Sequence, residues 1–207
     1  MLVFQEIAEA VICGNAKKVK EYAERALEDG ALPQSIVNEG LIAGMNVVGM
    51  KFKNNEVYVP EVLISARAMH AGMDVVKPLL SASELQDKGT VLIGTVKGDL
   101  HDIGKNLVRM MLEGAGYRVI DLGVDVAPEK FVQVVQEQKP QVVGLSALLT
   151  TTMVNMRSTI ERLKSYPVKV MIGGAPVTQK FADEIGADAY APDAASAVEK
   201  AGQLLAS

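Results

Sequence analysis

Residues 90–105 read TVLIGTVKGDLHDIGK, a short apolar run that passes directly into a polar loop with two glycines. Runs of the same kind recur toward the C terminus as YRVIDLG (117–123), QVVGLSA (141–147), VKVMIGG (168–174) and ADAYA (187–191). Stretches with helical periodicity separate these runs, and such alternation is typical of a parallel sheet covered by helices on both faces. We therefore predict an α/β domain with a five-stranded, doubly wound, flavodoxin-like sheet, whose ligand lies beyond the carboxyl ends of the strands.

The N-terminal part of the chain has a different periodicity. Its apolar residues recur at helical spacing, and no stretch alternates with period two. Four helices are predicted, and the short loops between them favour an antiparallel four-helix bundle. They cover about residues 2–12, 15–27, 33–52 and 60–80. The polar stretch 81–89 fits neither pattern, so we predict a helical domain over residues 1–87 and the α/β domain over residues 88–207.

The composition excludes several classes of function. The 207 residues carry a formal net charge of -4 and only 4% aromatic residues, which does not favour nucleic-acid binding. A single cysteine permits no intrachain disulfide and suits a reducing compartment. No apolar run approaches the roughly 20 residues that span a bilayer, and the N terminus lacks the basic segment of a signal peptide. We expect a cytoplasmic protein with neither nucleic acid nor membrane as a partner.

The loop after the first predicted strand allows three interpretations. A phosphate loop requires four residues between its glycines, whereas five separate Gly98 from Gly104, and Asn106 replaces the hydroxyl residue that would bind magnesium. The dinucleotide-binding glycine pattern is absent from this loop. The third interpretation is a metal-ligating histidine, His101, whose second ring nitrogen donates to the carboxylate of Asp99. Residues two apart project to the same side of an extended loop, which makes this contact feasible.

The sequence Asp99-Leu100-His101-Asp102-Ile103-Gly104 resembles the Asp-x-His-x-x-Gly signature of cobalamin-binding domains. That family includes cobalamin-dependent methionine synthase, the carbon-skeleton mutases and the corrinoid proteins of methyl-transfer systems. Three further segments resemble its other signatures, namely 143–150, 173–176 and 186–191. The resemblance implies a bound cobalamin or related corrinoid whose own nucleotide base has left the cobalt, the base-off form, with His101 as the lower ligand.

The resemblance also assigns roles to individual residues. His101 binds cobalt, Asp99 orients and polarises it, and Thr152 stands where methionine synthase has a serine that completes this relay. The departure from serine leaves the membership of Thr152 in the relay open. Corrinoid contacts are implied for Asp99, Leu100, His101, Asp102, Ile103, Gly104, Ser146, Leu148, Thr150, Gly173, Gly174, Ala175, Tyr190 and Ala191. The alternatives are a tight turn at the glycines and helix capping by Ser146 and Thr150.

The helical half resembles the cap that covers the upper face of the corrin in methionine synthase and in methyl-transfer corrinoid proteins. Residues 45–52 and 58–62 carry this resemblance, and Tyr58 is implied as the residue that shields the methyl group. Val62, Met69 and Met73 are further candidates, although core packing is the favoured interpretation of apolar residues at helical spacing. His70 is interpreted as an exposed helix residue. The linker 81–89 is the expected hinge for displacement of the cap.

A cap plus a cobalamin domain resembles the free-standing corrinoid protein of a three-part methyltransferase system. The implied function is that of a methyl carrier, not catalytic alone, which accepts a methyl group on cobalt(I) from a substrate-specific methyltransferase. A second methyltransferase passes the group to tetrahydrofolate or coenzyme M, and a reductive activator is an expected partner. The alternatives are a cobalamin-dependent regulator, a mutase small subunit and a cofactor-free receiver domain. The methyl donor, the acceptor, the lower base of the corrinoid and the oligomeric state stay open.

Overall fold

The structure is a computed structural model that describes residues 2–80 and 88–206 of the chain. The described residues fall into two compact units. The first contains the helices before residue 80, with residues 114–116 assigned to it, and the second contains the remaining residues from Lys88 onward. The predicted hinge 81–89 lies outside the described residues except for Lys88 and Gly89.

The N-terminal unit is helical throughout its elements. They are α1 (Leu2–Ile12), α2 (Ala16–Glu28), α3 (Pro33–Ser35), a π-helical segment (Ile36–Ile42), α4 (Ala43–Lys53), α5 (Val59–Val76) and a 3₁₀ turn (Lys77–Leu79). The Asn15 side chain accepts the Lys18 N–H at 3.1 Å and so caps the start of α2. The predicted helix over residues 33–52 is interrupted by the π-helical segment Ile36–Ile42. The fourth predicted helix ends in a 3₁₀ turn instead of continuing as an α-helix to residue 80.

The helices of this unit pack around a small apolar core. Helix α1 packs on α2 and α4, and α2 also packs on α5. Completely buried side chains at helical spacing form the centre, including Ile7, Val19, Leu41 and Val62. Met69 is only 3% exposed, so the core-packing interpretation of this apolar stripe holds for Val62 and Met69. His70 is exposed, as predicted.

The second unit alternates strands and helices without exception among its described elements. They are β1 (Thr90–Thr95), α6 (Ile103–Gly114), β2 (Arg118–Asp121), α7 (Pro128–Gln138), β3 (Val142–Ser146), α8 (Val154–Leu163), β4 (Lys169–Gly173), α9 (Gln179–Ile185), β5 (Ala189–Ala191) and α10 (Ala194–Leu205). All pairings are parallel, in the order β2-β1-β3-β4-β5. The predicted fold class is confirmed, because this is the doubly wound, flavodoxin-like order.

The register of the sheet brings the predicted ligand-binding positions to one edge. Thr95 of β1 pairs with Ser146 of β3, Ser146 pairs with Gly173 of β4, and Gly173 pairs with Ala191 of β5. Each is the last residue of its strand. The interior of the sheet is almost entirely aliphatic, as expected for parallel strands covered on both faces. The polar residues after these strand ends therefore share one surface of the α/β unit.

Candidate functional site

The loop between β1 and α6 is held by hydrogen bonds at nearly every step. The Asp99 N–H donates to the Val96 carbonyl at 3.1 Å, and the Asn155 side chain donates to the Lys97 carbonyl at 2.7 Å. The hydroxyl of Thr95, which is completely buried, donates to the His101 carbonyl at 2.9 Å. The backbone that presents His101 is thus anchored by two elements outside the loop, β1 and α8.

The carboxylate of Asp99 is completely buried and accepts several hydrogen bonds. Its Oδ1 lies 2.7 Å from Nδ1 of His101 and accepts the His101 N–H at 3.1 Å. Its Oδ2 accepts the N–H groups of Leu148 at 2.7 Å and Leu149 at 3.1 Å, and lies 2.8 Å from the Thr152 hydroxyl. One side chain therefore joins the histidine loop to the loop after β3.

The pKa of the Asp99 carboxyl is held well below its usual range. Burial by itself would raise this pKa, because it disfavours the charged form. The hydrogen bonds from Leu148, His101 and Thr152 outweigh burial, since each stabilises the carboxylate. Asp99 is consequently ionised at neutral pH, although its side chain is removed from water.

Acidification should destabilise the wild-type chain more than an Asp99→Asn variant. Because the folded pKa lies below the ordinary value of 3.8, the unfolded chain binds a proton first as the pH falls. The contribution of Asp99 is therefore fully present above about pH 4 and is lost as the pH decreases further. Urea unfolding at about pH 6 and about pH 3 should give an additional loss of about 1 kcal/mol in the wild type. Equal losses in both proteins would contradict the assignment.

His101 presents one free ring nitrogen. Because Asp99 is an anionic acceptor, the proton of the neutral imidazole resides on Nδ1, which leaves the lone pair on Nε2. The side chain is 50% exposed, and Nε2 has no hydrogen-bond partner among the described residues. A single oriented imidazole nitrogen is a competent metal ligand, and it suits a metal that brings its other ligands with it.

Thr152 lies where the predicted relay requires it. Its side chain is buried, and Oγ1 is 2.8 Å both from Oδ2 of Asp99 and from the Leu149 carbonyl oxygen. A single hydroxyl proton can be donated to only one of these two acceptors at a time. Asp99 retains the two backbone donors, Leu148 and Leu149, whichever acceptor Thr152 uses.

A Thr152→Val substitution should cost about 1 kcal/mol in the free energy of unfolding, because it removes one hydrogen bond to a buried carboxylate and keeps the shape. Thr152→Ser retains the hydroxyl and is the matched control, expected to stay closer to the wild type. Urea unfolding near neutral pH measures both. If the serine and valine variants lose the same free energy of unfolding, the hydroxyl makes no contribution to stability. The loss would then come from altered packing alone.

The glycines at the end of β4 are required by the close approach of backbone segments. A Cβ at Gly174 would lie 1.9 Å from the Ala147 carbonyl oxygen, and φ at Gly174 is +131°. A Cβ at Gly173 would lie 2.8 Å from the Ala191 carbonyl oxygen. The tight-turn interpretation therefore accounts for both residues in the protein alone. At Gly104, in the first turn of α6, a Cβ would meet no atom within 4 Å, so this glycine opens space beside the histidine loop.

The other predicted contact residues differ in their surroundings. Ser146 is partly buried and Thr150 is exposed, and neither hydroxyl has a hydrogen-bond partner in the part of the chain that the structure describes. Neither hydroxyl caps the next helix, because the N-cap position of α8 is occupied by Met153. Tyr190 is partly buried against the core, and Ala191 is buried. Asp102 accepts a hydrogen bond from Asn106 at 2.9 Å, and Ala175 is exposed.

Large apolar side chains project into solvent from the two loops that Asp99 joins and from the first residues of α6 and α8. Each is at least 42% exposed: Leu100, Ile103, Leu148, Leu149 and Val154. Exposed apolar side chains grouped around a polar centre mark a binding surface. Sequence analysis identified the first three, whereas it missed Leu149, Val154 and the buried Thr95. Thr95 gave one weak signal, a hydroxyl residue at the end of an otherwise apolar strand.

Tyr58 belongs to the other unit of the structure. It precedes α5, is 66% exposed, and donates its backbone N–H to the Glu61 carboxylate at 3.0 Å. Its side chain is thus available on the surface of the helical unit. The predicted residues Asp99, His101, Leu148 and Thr152 are brought together by direct contacts, whereas Tyr58 is placed by the helical unit alone.

The residues present fit a corrinoid. The site offers an oriented imidazole nitrogen for a metal, open space at Gly104, the hydroxyls of Ser146 and Thr150 at and after the end of β3, and apolar side chains for a large planar ligand. Comparisons with known proteins agree with this fit. Residues 89–200 match a family model described as the B12 binding domain, and residues 3–77 match a second model with the same description.

The relatives and solved structures point to one group within that family. The chain is 50% identical to trimethylamine corrinoid protein 2 of Methanosarcina mazei over 87% of this chain and 85% of the relative. It is 42% identical to a corrinoid protein of Desulfitobacterium hafniense, over 99% and 98% of the two chains. The methanol:cobalamin methyltransferase complex of Methanosarcina barkeri matches with a TM-score of 0.92 and 33% identity, over 99% of this chain and 80% of that chain.

The chain therefore belongs to the B12-binding corrinoid proteins of methyltransferase systems. The resemblance read from the four sequence segments is confirmed, and so is binding of a cobalamin-type cofactor. No helix within residues 2–80 and 88–206 is both long and apolar enough to cross a membrane.

Proposed function

We propose that the chain is a methyl carrier and that His101 is the lower ligand of its corrinoid in the base-off form. The observation that carries the proposal is the geometry of His101, whose Nδ1 faces an ionised, buried carboxylate. Its side chain is half exposed, and Nε2 has no hydrogen-bond partner among the described residues. When bound, the cobalt supplies the chemistry, because in its cobalt(I) state it accepts a methyl group from one partner and gives it to another.

His101 and Asp99 would act as one unit toward the metal. Asp99 fixes the ring orientation by accepting a hydrogen bond from Nδ1, which directs Nε2 toward the metal. Thr152 and the backbone donors Leu148 and Leu149 keep that carboxylate ionised. The unit thus holds one oriented imidazole nitrogen toward the metal.

The remaining site residues would hold and enclose the corrinoid. Gly104 leaves room beside the loop, and the hydroxyls of Ser146 and Thr150 are available as donors to the displaced nucleotide tail. The exposed apolar side chains Leu100, Ile103 and Leu148 suit contact with the corrin ring. The same proposal includes corrinoid contacts from the remaining predicted residues, namely Asp102, Gly173, Gly174, Ala175, Tyr190 and Ala191.

The helical unit would serve as the cap of the upper corrin face. We assign residues 1–87 to this cap and residues 88–207 to the corrinoid domain. Tyr58 is the proposed shield of the methyl group because its aromatic side chain is 66% exposed on the helical unit. Displacement of the cap at residues 81–89 remains the predicted route by which a partner gains access.

The proposed partners are a substrate-specific methyltransferase, a second methyltransferase with tetrahydrofolate or coenzyme M as acceptor, and a reductive activator. The relatives support the first of these, since their names include a trimethylamine corrinoid protein and a methanol:cobalamin methyltransferase complex. We place the carrier in the cytoplasm, because a chain with one cysteine suits the reducing conditions under which cobalt(I) persists. Neither nucleic acid nor membrane is part of the proposal.

Reconstitution followed by methyl transfer tests this function. The purified chain is incubated with hydroxocobalamin, desalted, reduced and mixed with a trimethylamine or a methanol methyltransferase and its substrate. We expect one corrinoid per chain and a methylated-corrinoid spectrum with one of the two enzymes. A retained corrinoid that neither enzyme methylates would redirect the proposal to another donor or to a regulatory role. A chain that retains no corrinoid would exclude the carrier function.

A further inference from the structure

The loop after β2 contains a carboxylate that belongs to none of the four signature segments. Asp125 has φ of +53°, a left-handed conformation that residues other than glycine adopt rarely, with aspartate and asparagine the most tolerant of them. Its carboxylate Oδ1 accepts the Gly98 N–H at 2.6 Å. Its own backbone N–H donates to the Asp99 carbonyl at 3.0 Å. Asp125 therefore forms hydrogen bonds with both the N–H of Gly98 and the carbonyl of Asp99.

Backbone pairing on both sides fixes the position of Asp125. Before it, the Thr95 N–H donates to the Gly123 carbonyl at 3.0 Å. After it, the Val126 N–H donates to the Thr95 carbonyl at 3.0 Å, and Val126 forms an isolated parallel bridge with Val96. The segment that contains Asp125 thus resumes pairing with β1 beyond the end of β2. This pairing holds Asp125 in its left-handed conformation against the histidine loop.

We propose that Asp125 is a positioning residue for His101, acting through Gly98 and Asp99. The backbone of Asp99 is held by Asp125, and its side chain in turn holds Nδ1 of His101 at 2.7 Å. Since the carboxylate of Asp99 must reach Leu148, Leu149 and His101 together, a shift of its backbone disturbs all three contacts. Asp125 thereby sets the orientation of a ring that it does not touch. The inference deepens the proposed ligand role of His101 and rests on it.

Three substitutions separate the two contributions of Asp125. Asp125→Asn keeps an accepting oxygen and tolerates the left-handed conformation, so it should resemble the wild type. Asp125→Gly keeps the conformation but removes the acceptor, and Asp125→Ala removes the acceptor and adds backbone strain. A merely conformational role predicts that glycine is harmless. A positioning role through the hydrogen bond predicts that glycine and alanine are both defective.

The chain also offers a matched control, Asp188. Its carboxylate accepts the Val170 N–H at 2.8 Å, and its N–H donates to the Val170 carbonyl at 2.8 Å. The pattern is similar, except that both backbone groups belong to one residue, Val170, and that Lys169 Nζ lies 3.4 Å from the same carboxylate. Val170 lies near the start of β4 and not at the strand ends that carry the site. Asp188→Ala should therefore remove a comparable hydrogen bond from a carboxylate to the backbone without altering the ring orientation of His101.

The test uses one measurement without corrinoid and one with it. In the apoprotein, ¹⁵N NMR of the ring nitrogens of His101 reports the ratio of the Nδ1–H to the Nε2–H tautomer, with His70→Gln used for assignment. In the reconstituted protein, the electron paramagnetic resonance spectrum of the cobalt(II) form reports the fraction with nitrogen coordination. We expect Asp125→Gly and Asp125→Ala to lower the tautomer ratio about fivefold, the effect of one lost hydrogen bond. Both should also lower the coordinated fraction.

Wild-type values for Asp125→Gly in both measurements would overturn the inference, as would equal effects of Asp188→Ala. A wild-type protein that binds no corrinoid, or binds it without nitrogen coordination, would contradict the proposed function instead. In that event the NMR ratio still decides whether Asp125 orients His101. The two proposals therefore fail by different observations.

Discussion

A His101→Ala variant should retain the fold of the α/β unit but lose coordination of the corrinoid cobalt by the protein's imidazole. The side chain is half exposed and its ring packs into no buried core, so its removal creates no large cavity. What disappears is the single oriented nitrogen, together with the partner that Nδ1 provides for Asp99. We expect retention of corrinoid to weaken at least about tenfold, equivalent to about 1.4 kcal/mol.

The visible spectrum and the cobalt(II) electron paramagnetic resonance spectrum of reconstituted protein measure this loss directly. His70→Ala is the control, because His70 is the other histidine of the chain and lies on the exposed side of α5 in the helical unit. It should keep both spectra. Unaltered nitrogen coordination in His101→Ala would remove His101 as the ligand while leaving membership of the B12-binding family untouched.

Gly174→Ala should be the most damaging single methyl addition at the sheet edge. The new Cβ would overlap the Ala147 carbonyl oxygen at 1.9 Å, and φ of +131° is accessible almost only to glycine. Backbone strain and overpacking each cost about 1–3 kcal/mol, so we expect a total of roughly 3 kcal/mol or more. Because Ala147 precedes the donors Leu148 and Leu149, the same displacement should disturb Asp99 and reduce corrinoid retention.

Substitutions at two other glycines separate backbone strain from steric overlap as causes of the lost stability. At Gly186, φ is +74° but a Cβ meets no atom within 4 Å, so Gly186→Ala reports strain alone, about 1 kcal/mol. At Gly104 a Cβ also meets nothing within 4 Å, and Gly104→Ala should be neutral or slightly stabilising without corrinoid. Urea unfolding of the three apoproteins provides the comparison. If Gly174→Ala costs no more than Gly186→Ala, the contact with Ala147 relaxes and the predicted closeness is wrong.

Much of the fold could be predicted because its determinants are local. The apolar runs give the strands, and each of the five predicted runs contains the strand observed there. The π-helical segment Ile36–Ile42 could not be predicted in this way. Gly40 has Ile7 of α1 close against its backbone, and such packing between helices leaves no local pattern in the sequence.

The contacts of the site likewise divide into local ones, which the sequence predicts, and long-range ones, which it does not. His101 and Asp99 are two residues apart, so their contact follows from the loop itself. Sequence analysis found Leu148 and Thr152 through resemblance, but the backbone donors to Asp99 depend on how the loop after β3 folds over β1. Asp125 was missed because its contact with Gly98 spans 27 residues and involves an unremarkable exposed carboxylate. A contact between main-chain groups and a distant side chain has no signature in composition or periodicity.

The buried carboxylate of Asp99 has a consequence for the order of events during synthesis. Its donors Leu148, Leu149 and Thr152 lie 49, 50 and 53 residues further along the chain. A nascent chain that ends before Leu148 carries the complete histidine segment but lacks all three contacts that fix its acceptor. Parallel pairing of β1 with β3 must come first, and such non-local pairing is slow. We therefore expect corrinoid loading to be a late event, and ribosome-bound chains that stop before β3 should not capture the cofactor.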